Sequence, residues 1–184
     1  MKYFNPKFIL FLVKLFILKI RFGKKVIFTS LKIGFESSII ILIDKKKSSI
    51  KFGNLNYFYR LGNIEVYDGG RIEFGGNISI NKGFSIVCRS KIIFGNNIMI
   101  GPYVMIFDHD HQFNNSLITF NKQGFKSSPI ILGDNIWIGA NVFISSGVTI
   151  GSNVVIAAGS IVTKNISSNT IVGGNPAKLI KNLT

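Results

Sequence analysis

Counting every sixth residue from Leu132 gives Leu132, Ile138, Ile144, Ile150, Ile156 and Val162, all aliphatic. The residues that follow them, Gly133, Gly139, Ser145, Gly151, Ala157 and Thr163, are mostly small. Four positions beyond each aliphatic residue stand Ile136, Val142, Val148, Val154, Ser160 and Ile166, so apolar positions alternate gaps of two and four. A helix would throw residues two apart onto opposite sides, and a flat strand would need unbroken alternation. A period of six instead predicts short strands separated by tight bends and stacked coil on coil as a parallel β-helix.

The same phrase recurs upstream as LKIGFES at 31–37, IKFGNL at 50–55, IEFGGNISI at 72–80 and IIFGNNIMIG at 92–101. It returns as IILGDNIWIG at 130–139 and VTIGSNVVIA at 148–157. Leu132 to Ile150 makes one triangular coil of three hexapeptides, whereas Phe74 to Phe94 is longer and Phe52 to Phe74 longer still. The early coils therefore carry small insertions at their corners. Recurrent Gly-Xaa-Asn segments supply corner conformations that β-branched residues avoid. The pattern fails between Ile106 and Pro129, where residues 107–128 read FDHDHQFNNSLITFNKQGFKSS. This predicts an extruded loop at about 107–129, and a long excursion from a regular solenoid is usually functional or disordered.

Both ends of a solenoid need caps. Residues 6–22, PKFILFLVKLFILKIRF, form an apolar stretch interrupted by Lys14 and Lys19. It is too short and too charged for a spanning helix, and no small-residue cleavage site follows it. On a helix Lys7, Lys14 and Arg21 share one stripe. Such a helix suits a membrane surface, or it packs on the solenoid end or on a neighbouring subunit. Pro176 in the tail NPAKLIKNLT predicts a short C-terminal helix closing the other end. The division expected is a basic amphipathic segment at 1–25 and a β-helix domain with its C-terminal cap at 26–184.

Charge sharpens this picture. Of the net +14, residues 1–60 carry +11 and residues 61–184 only +3. By charge alone the basic end could meet anionic lipid, nucleic acid or phosphorylated substrates. Cys88 is the only cysteine, which excludes an intrachain disulfide and a cysteine zinc site and leaves no need for an oxidising compartment. A content of 47% hydrophobic residues with 17 Phe excludes a disordered chain.

The two histidines of the whole chain, His109 and His111, stand two apart in the excursion. Imidazole titrates near neutrality and is a natural base for a sugar hydroxyl. Asp108 and Asp110 could orient an imidazole or hold an acceptor. Trp137 lies between two core positions, so it points outward and asks for a partner.

The phrases IGPYVMIFDHDH, GDNIWIGANVFISSGVTIGSNVVIAAGSIVTK and VGGNPAKLI, in that order, resemble the hexapeptide-repeat acyltransferases, in particular the maltose and galactoside O-acetyltransferase branch that includes surface-polysaccharide O-acetyltransferases. The resemblance covers roughly residues 72–181. It implies a left-handed β-helix, a homotrimer, active sites between subunits and acetyl-CoA as co-substrate. It places His111 on the catalytic histidine and His109 beside it. It puts Trp137 along the thioester, and Ala140 where its N–H meets the thioester oxygen. Ala158, Thr163 and Lys164 fall along the pantetheine and nucleotide, Lys178 and Lys181 at the phosphates, and Asn81 on an asparagine facing the acceptor. Arg89 stands where galactoside enzymes carry a sugar-binding aspartate, so the implied acceptor is another glycan or a nucleotide-linked sugar. Carbonic anhydrases on this fold use three histidines and this chain has two, so no metal is expected.

The function expected is O-acetyl transfer to a sugar hydroxyl of a bacterial surface polysaccharide or its precursor. It would proceed by direct attack with a histidine base, in the cytoplasm or peripherally on the inner membrane face. Nucleic acid is not among the expected partners. N-acetylation of an amino sugar or small xenobiotic on the same scaffold, and a non-catalytic assembly module, are the alternatives. An ester product is cleaved by mild alkali and an amide is not, while the module would bind no coenzyme A.

Overall fold

The computed structural model describes residues 6–30, 32–36, 38–44 and 47–184, with side chains from Val13 onward. After one helix, α1 (Pro6–Phe22), the chain winds through six coils of a left-handed parallel β-helix. Three sheets form the faces of the prism. Face A starts at Val26–Phe28 and ends at Thr149–Ile150. Face B runs from Ile33–Phe35 to Thr170–Gly173, and face C from Ile40–Ile43 to Ile161–Val162.

The register explains the period. Ile92 pairs with Ile72 and Ile130, Ile98 with Ile78 and Ile136, and Ile106 with Ile86 and Ile144. All of these side chains are buried. Each coil thus stacks apolar residues on those below while parallel backbone hydrogen bonds join the coils.

At the edge between faces A and B, Asn77, Asn97, Asn135, Asn153 and Asn169 all take φ between +53° and +59°, the left-handed conformation that asparagine tolerates. Their amides form a ladder: Asn77 donates to Asn97 at 2.9 Å, Asn135 to Asn153 at 2.8 Å and Asn153 to Asn169 at 2.9 Å. Gly75 admits no side chain, because a Cβ there would lie 2.2 Å from the Gly95 carbonyl oxygen.

Core composition follows coil size. The first coil, from Val26 to its partner Ile50, takes more chain than the last, from Ile150 to its partner Ile166. The wide end is filled by aromatic stacks, with Phe28 on Phe52 at 5.5 Å, Phe52 on Phe74 at 5.3 Å and Phe74 on Phe94 at 4.7 Å. Leu132 and Ile150 continue the column where the prism narrows.

The caps differ from each other. Leu15 of α1 is buried, Leu18 and Phe22 pack on the same core, and α1 closes the wide end. Lys14 turns inward and donates to the Glu36 carbonyl, and burial pushes its pKa down. Lys14 is therefore not part of an outward basic stripe, and the side chain of Lys7 lies outside the described residues.

The expected C-terminal helix is not formed. Lys178–Asn182 is instead a strand that returns antiparallel along Thr170–Gly173. Gly174, at φ +102°, begins the reversal. The last strand of face B would otherwise offer a free edge, and a returning strand satisfies its backbone groups where a helix would not.

Phe74 sits between two stacked rings in the aromatic half of the core. Phe74→Ala should destabilise the fold by about 3–5 kcal/mol, measured by denaturant unfolding. Isoleucine at the same site should recover most of the loss.

Candidate active site

The excursion leaves the prism at the edge between faces C and A, after Met105–Phe107, and returns at Ile130–Leu132. It forms an antiparallel hairpin arm in which His109 pairs with Ser127, Asp110 with Lys126 and His111 with Phe125. Alternation along the strand puts both histidines on one face and Asp110 with Lys126 on the other. Phe125 holds the histidine face together. Its ring lies 4.4 Å from that of His111 and 5.4 Å from that of His109, and the Arg89 guanidinium sits 3.5 Å from its centroid. Arg89 also stacks on Tyr67 and pairs with Asp68.

Asp108 anchors the arm. Its side chain is fully buried and its oxygens accept the Arg89 N–H at 2.8 Å and the Ser90 N–H at 2.7 Å. The Cys88 thiol donates to it at 3.3 Å, and Nδ1 of His109 lies 3.3 Å away. Its carbonyl accepts from Ser128 N–H and the Ser146 hydroxyl. Through its carboxylate Asp108 thus ties the root of the arm to the coil below, and through its backbone carbonyl to the coil above. Asp108 faces inward to this network, whereas Asp110 and His111 are exposed. Only 13% of the His109 side chain is exposed. Burial, reinforced by the charge on Asp108, raises the pKa of the Cys88 thiol far above its ordinary value.

A second feature lies on face B. Trp137 is 54% exposed and pairs with Met99 below and Val155 above. The column continues outward through Ile171 to Lys181 on the returning strand. A groove of about 390 Å³ runs beside it, lined by Met99, Trp137, Val155, Leu183 and the corner asparagines. Ala140 and Ala158 follow their face B strands into the next edge, in successive coils. There Gly139 donates to Ile156 and Asn141 to Pro102, so the N–H of Ala140 lies between two rungs of the ladder.

Asn81, exposed, occupies the same edge lower down. Thr163 and Lys164 lie at the edge between faces C and A, and Lys178 is exposed on the last strand. One protomer therefore gathers Trp137, Ala140, Ala158, Lys178, Lys181 and Asn81 on and beside face B. His109, His111, Thr163 and Lys164 lie at the opposite edge. Sequence reasoning missed Phe125 and the role of Arg89, because a count in sixes is blind to antiparallel pairing inside the interruption.

Residues 129–164 match the family model for the hexapeptide repeat of succinyl-transferase. A protein of Escherichia coli named for O-acetyl transfer in lipopolysaccharide biosynthesis is 32% identical over 145 residues, 74% of this chain and 74% of that protein. The galactoside O-acetyltransferase of E. coli is 40% identical over 116 residues, 62% of this chain but only 56% of its own length. A protein of Saccharomyces cerevisiae named as an acetyltransferase is 38% identical over 117 residues, and the match likewise spans only 58% of that relative. Among solved structures, a maltose O-acetyltransferase from Clostridium difficile is 32% identical with a TM-score of 0.58, over 82% of this chain and 70% of that one.

The buried network makes a chemical prediction. Cys88 should resist thiol reagents in the folded protein and react on unfolding. Asp108→Ala removes the acceptor for two backbone N–H groups, each bond to a charge contributing about 1.5–3 kcal/mol. This variant should label Cys88 at least about tenfold faster under native conditions. Labelling at the wild-type rate would show that Asp108 does not hold the arm to the prism.

Proposed function

The chain belongs to the hexapeptide-repeat acyltransferases, and from that premise we propose that it transfers an acetyl group from acetyl-CoA to a sugar hydroxyl of a surface polysaccharide or its precursor. The observation that carries this reading is an exposed histidine on a rigidly rooted arm, combined with an outward tryptophan column that ends in lysine. The polysaccharide acceptor is supported by the resemblance over three quarters of the chain to the E. coli protein named for lipopolysaccharide biosynthesis.

The coenzyme lies along the face B column. Trp137 flanks the thioester and the Ala140 N–H, between ladder rungs, donates to the developing oxyanion. From Trp137 to Lys181 there are three strand steps of about 4.8 Å, so roughly 14 Å. That span suits an extended pantetheine arm between thioester and phosphates, where Lys181 and Lys178 supply positive charge.

The histidine arm of the same protomer lies on the far side of the prism, so the active centre forms between subunits of a homotrimer. The arm of one subunit then faces the Trp137 column of the next, and Thr163 and Lys164 reach the same coenzyme from the arm's side. Asn81 holds the acceptor.

His111 is the general base: its imidazole takes the proton of the acceptor hydroxyl as that oxygen attacks the thioester carbon. The tetrahedral oxyanion collapses with release of the coenzyme A thiolate, which takes up a proton. No acyl-enzyme forms, and Cys88, buried and protonated, is no nucleophile. One observation favours a second candidate base, the contact of His109 with Asp108, which is the kind of pairing that orients an imidazole.

His111→Ala should lower kcat by about 10²–10⁴ with acetyl-CoA binding intact, measured by thiol release with a glycan acceptor. His109→Ala should cost less, and the reverse order would make His109 the base. Lys164→Ala should raise the KM for acetyl-CoA with little change in kcat, as expected for lost uniform binding. The transferred acetyl group should be released by mild alkali, and an alkali-stable product would move the reading to N-acetyl transfer.

A further inference from the structure

Capping the wide end of the prism uses only one side of α1. Leu15, Leu18 and Phe22 face the core, Lys14 donates to the Glu36 carbonyl and Lys19 to the Val26 carbonyl at 2.9 Å. On the other side Val13, Phe16, Ile17 and Ile20 are 47%, 66%, 53% and 69% exposed. Their spacing of three, four and seven makes one continuous apolar strip. None of these four side chains belongs to the core that α1 covers. Arg21, Lys24, Lys32 and Lys47 are exposed on the same end of the molecule. The two acidic residues of the first 60 are occupied within the fold: Glu36 accepts the Arg60 N–H, and Asp44 accepts the Ser48 hydroxyl and the Asp68 N–H.

We propose that this strip lies on an anionic bilayer surface, with Val13, Phe16, Ile17 and Ile20 sunk among the acyl chains and the surrounding cations on the lipid phosphates. Three observations favour lipid. The strip is bulky and aliphatic or aromatic with no polar residue in it, as a helix lying in the interface requires. Its surroundings carry net positive charge, which complements an anionic leaflet. A second copy of the chain would bring the same cationic end against itself, and that repulsion opposes a symmetric contact.

No described helix is long and apolar enough to cross a membrane, so the mode is attachment in the plane of the surface. The stripe expected from sequence, Lys7, Lys14 and Arg21, is not what marks the lipid side, since Lys14 is turned into the fold. Attachment through this strip requires no particular chemistry at the active site.

The test is co-sedimentation of the full chain with vesicles of phosphatidylglycerol and phosphatidylcholine, and with phosphatidylcholine alone. Wild type should partition onto the anionic vesicles and much less onto neutral ones, with the difference shrinking as salt is raised. Phe16→Gln with Ile20→Gln keeps helix propensity and leaves Leu15, Leu18 and Phe22 in place. This double variant should bind at least about tenfold more weakly while its thermal unfolding is unchanged. Wild-type binding by the double variant, or wild type left in the supernatant with anionic vesicles, would overturn the proposal. So would a change of sedimentation coefficient in the double variant without lipid, which would assign the strip to a contact between proteins.

Discussion

Every coil must set its apolar side chains and its backbone hydrogen bonds directly over those of the coil before. This vertical register governs the rest of the molecule. It makes Ile92 stand on Ile72 and under Ile130, and it brings five asparagines to one edge in one conformation. It also explains why glycine is needed at Gly75, where two backbones close to within a side chain's width. A β-helix of this kind tolerates change along its axis more easily than around it. The coil can shorten steadily between the first turn and the last, provided the filling changes from stacked phenylalanine to isoleucine and valine.

The same rule isolates the places where the chain does something other than stack. An insertion in the middle of a face would break the stacked columns of that face, whereas one at an edge can leave them in register. The histidine arm leaves and returns at one edge, and Pro129 is followed at once by Ile130 over Ile92. The breach still leaves backbone N–H groups at Arg89 and Ser90 facing the departing chain, and Asp108 fills that position with a carboxylate. A group read from sequence as acceptor-facing or imidazole-orienting is thus, in its geometry, the joint between arm and prism. The same carboxylate also reaches Nδ1 of His109.

Much of this is legible in the sequence, for physical reasons. A period of six survives drift because each inward position is constrained by neighbours above and below, so Leu132 to Val162 announces the fold. The excursion is legible as the failure of that constraint, and the sequence places its only two histidines there. Three things are not. The hairpin pairing of His111 with Phe125 has no periodic signature in so short a segment. Pro176 opens helices well and so predicts one for the tail, but the need to cover the last strand's edge outweighs local preference. The facing of Lys14 depends on the carbonyl of Glu36, far along the chain, which no helical wheel contains.

The division of candidate residues between two sides of the prism follows from the same architecture. A triangular solenoid presents open faces and edges, and its interior is filled, so a single prism does not enclose a reaction. A thioester lying on face B has a flat wall of Met99, Trp137 and Val155 on one side and solvent on the other. Water has to be kept from that carbonyl if a sugar hydroxyl is to be the nucleophile, and a second surface must cover it. In the proposed trimer the histidine arm, which stands off the opposite edge with Phe113, Leu117 and Phe120 exposed near its tip, would be that surface for a neighbouring prism. Burying those side chains against the neighbour would at once supply the base, exclude the water and hold the subunits together. Under that proposal assembly and catalysis would rest on one contact, carried by the interruption of the repeat at 107–129.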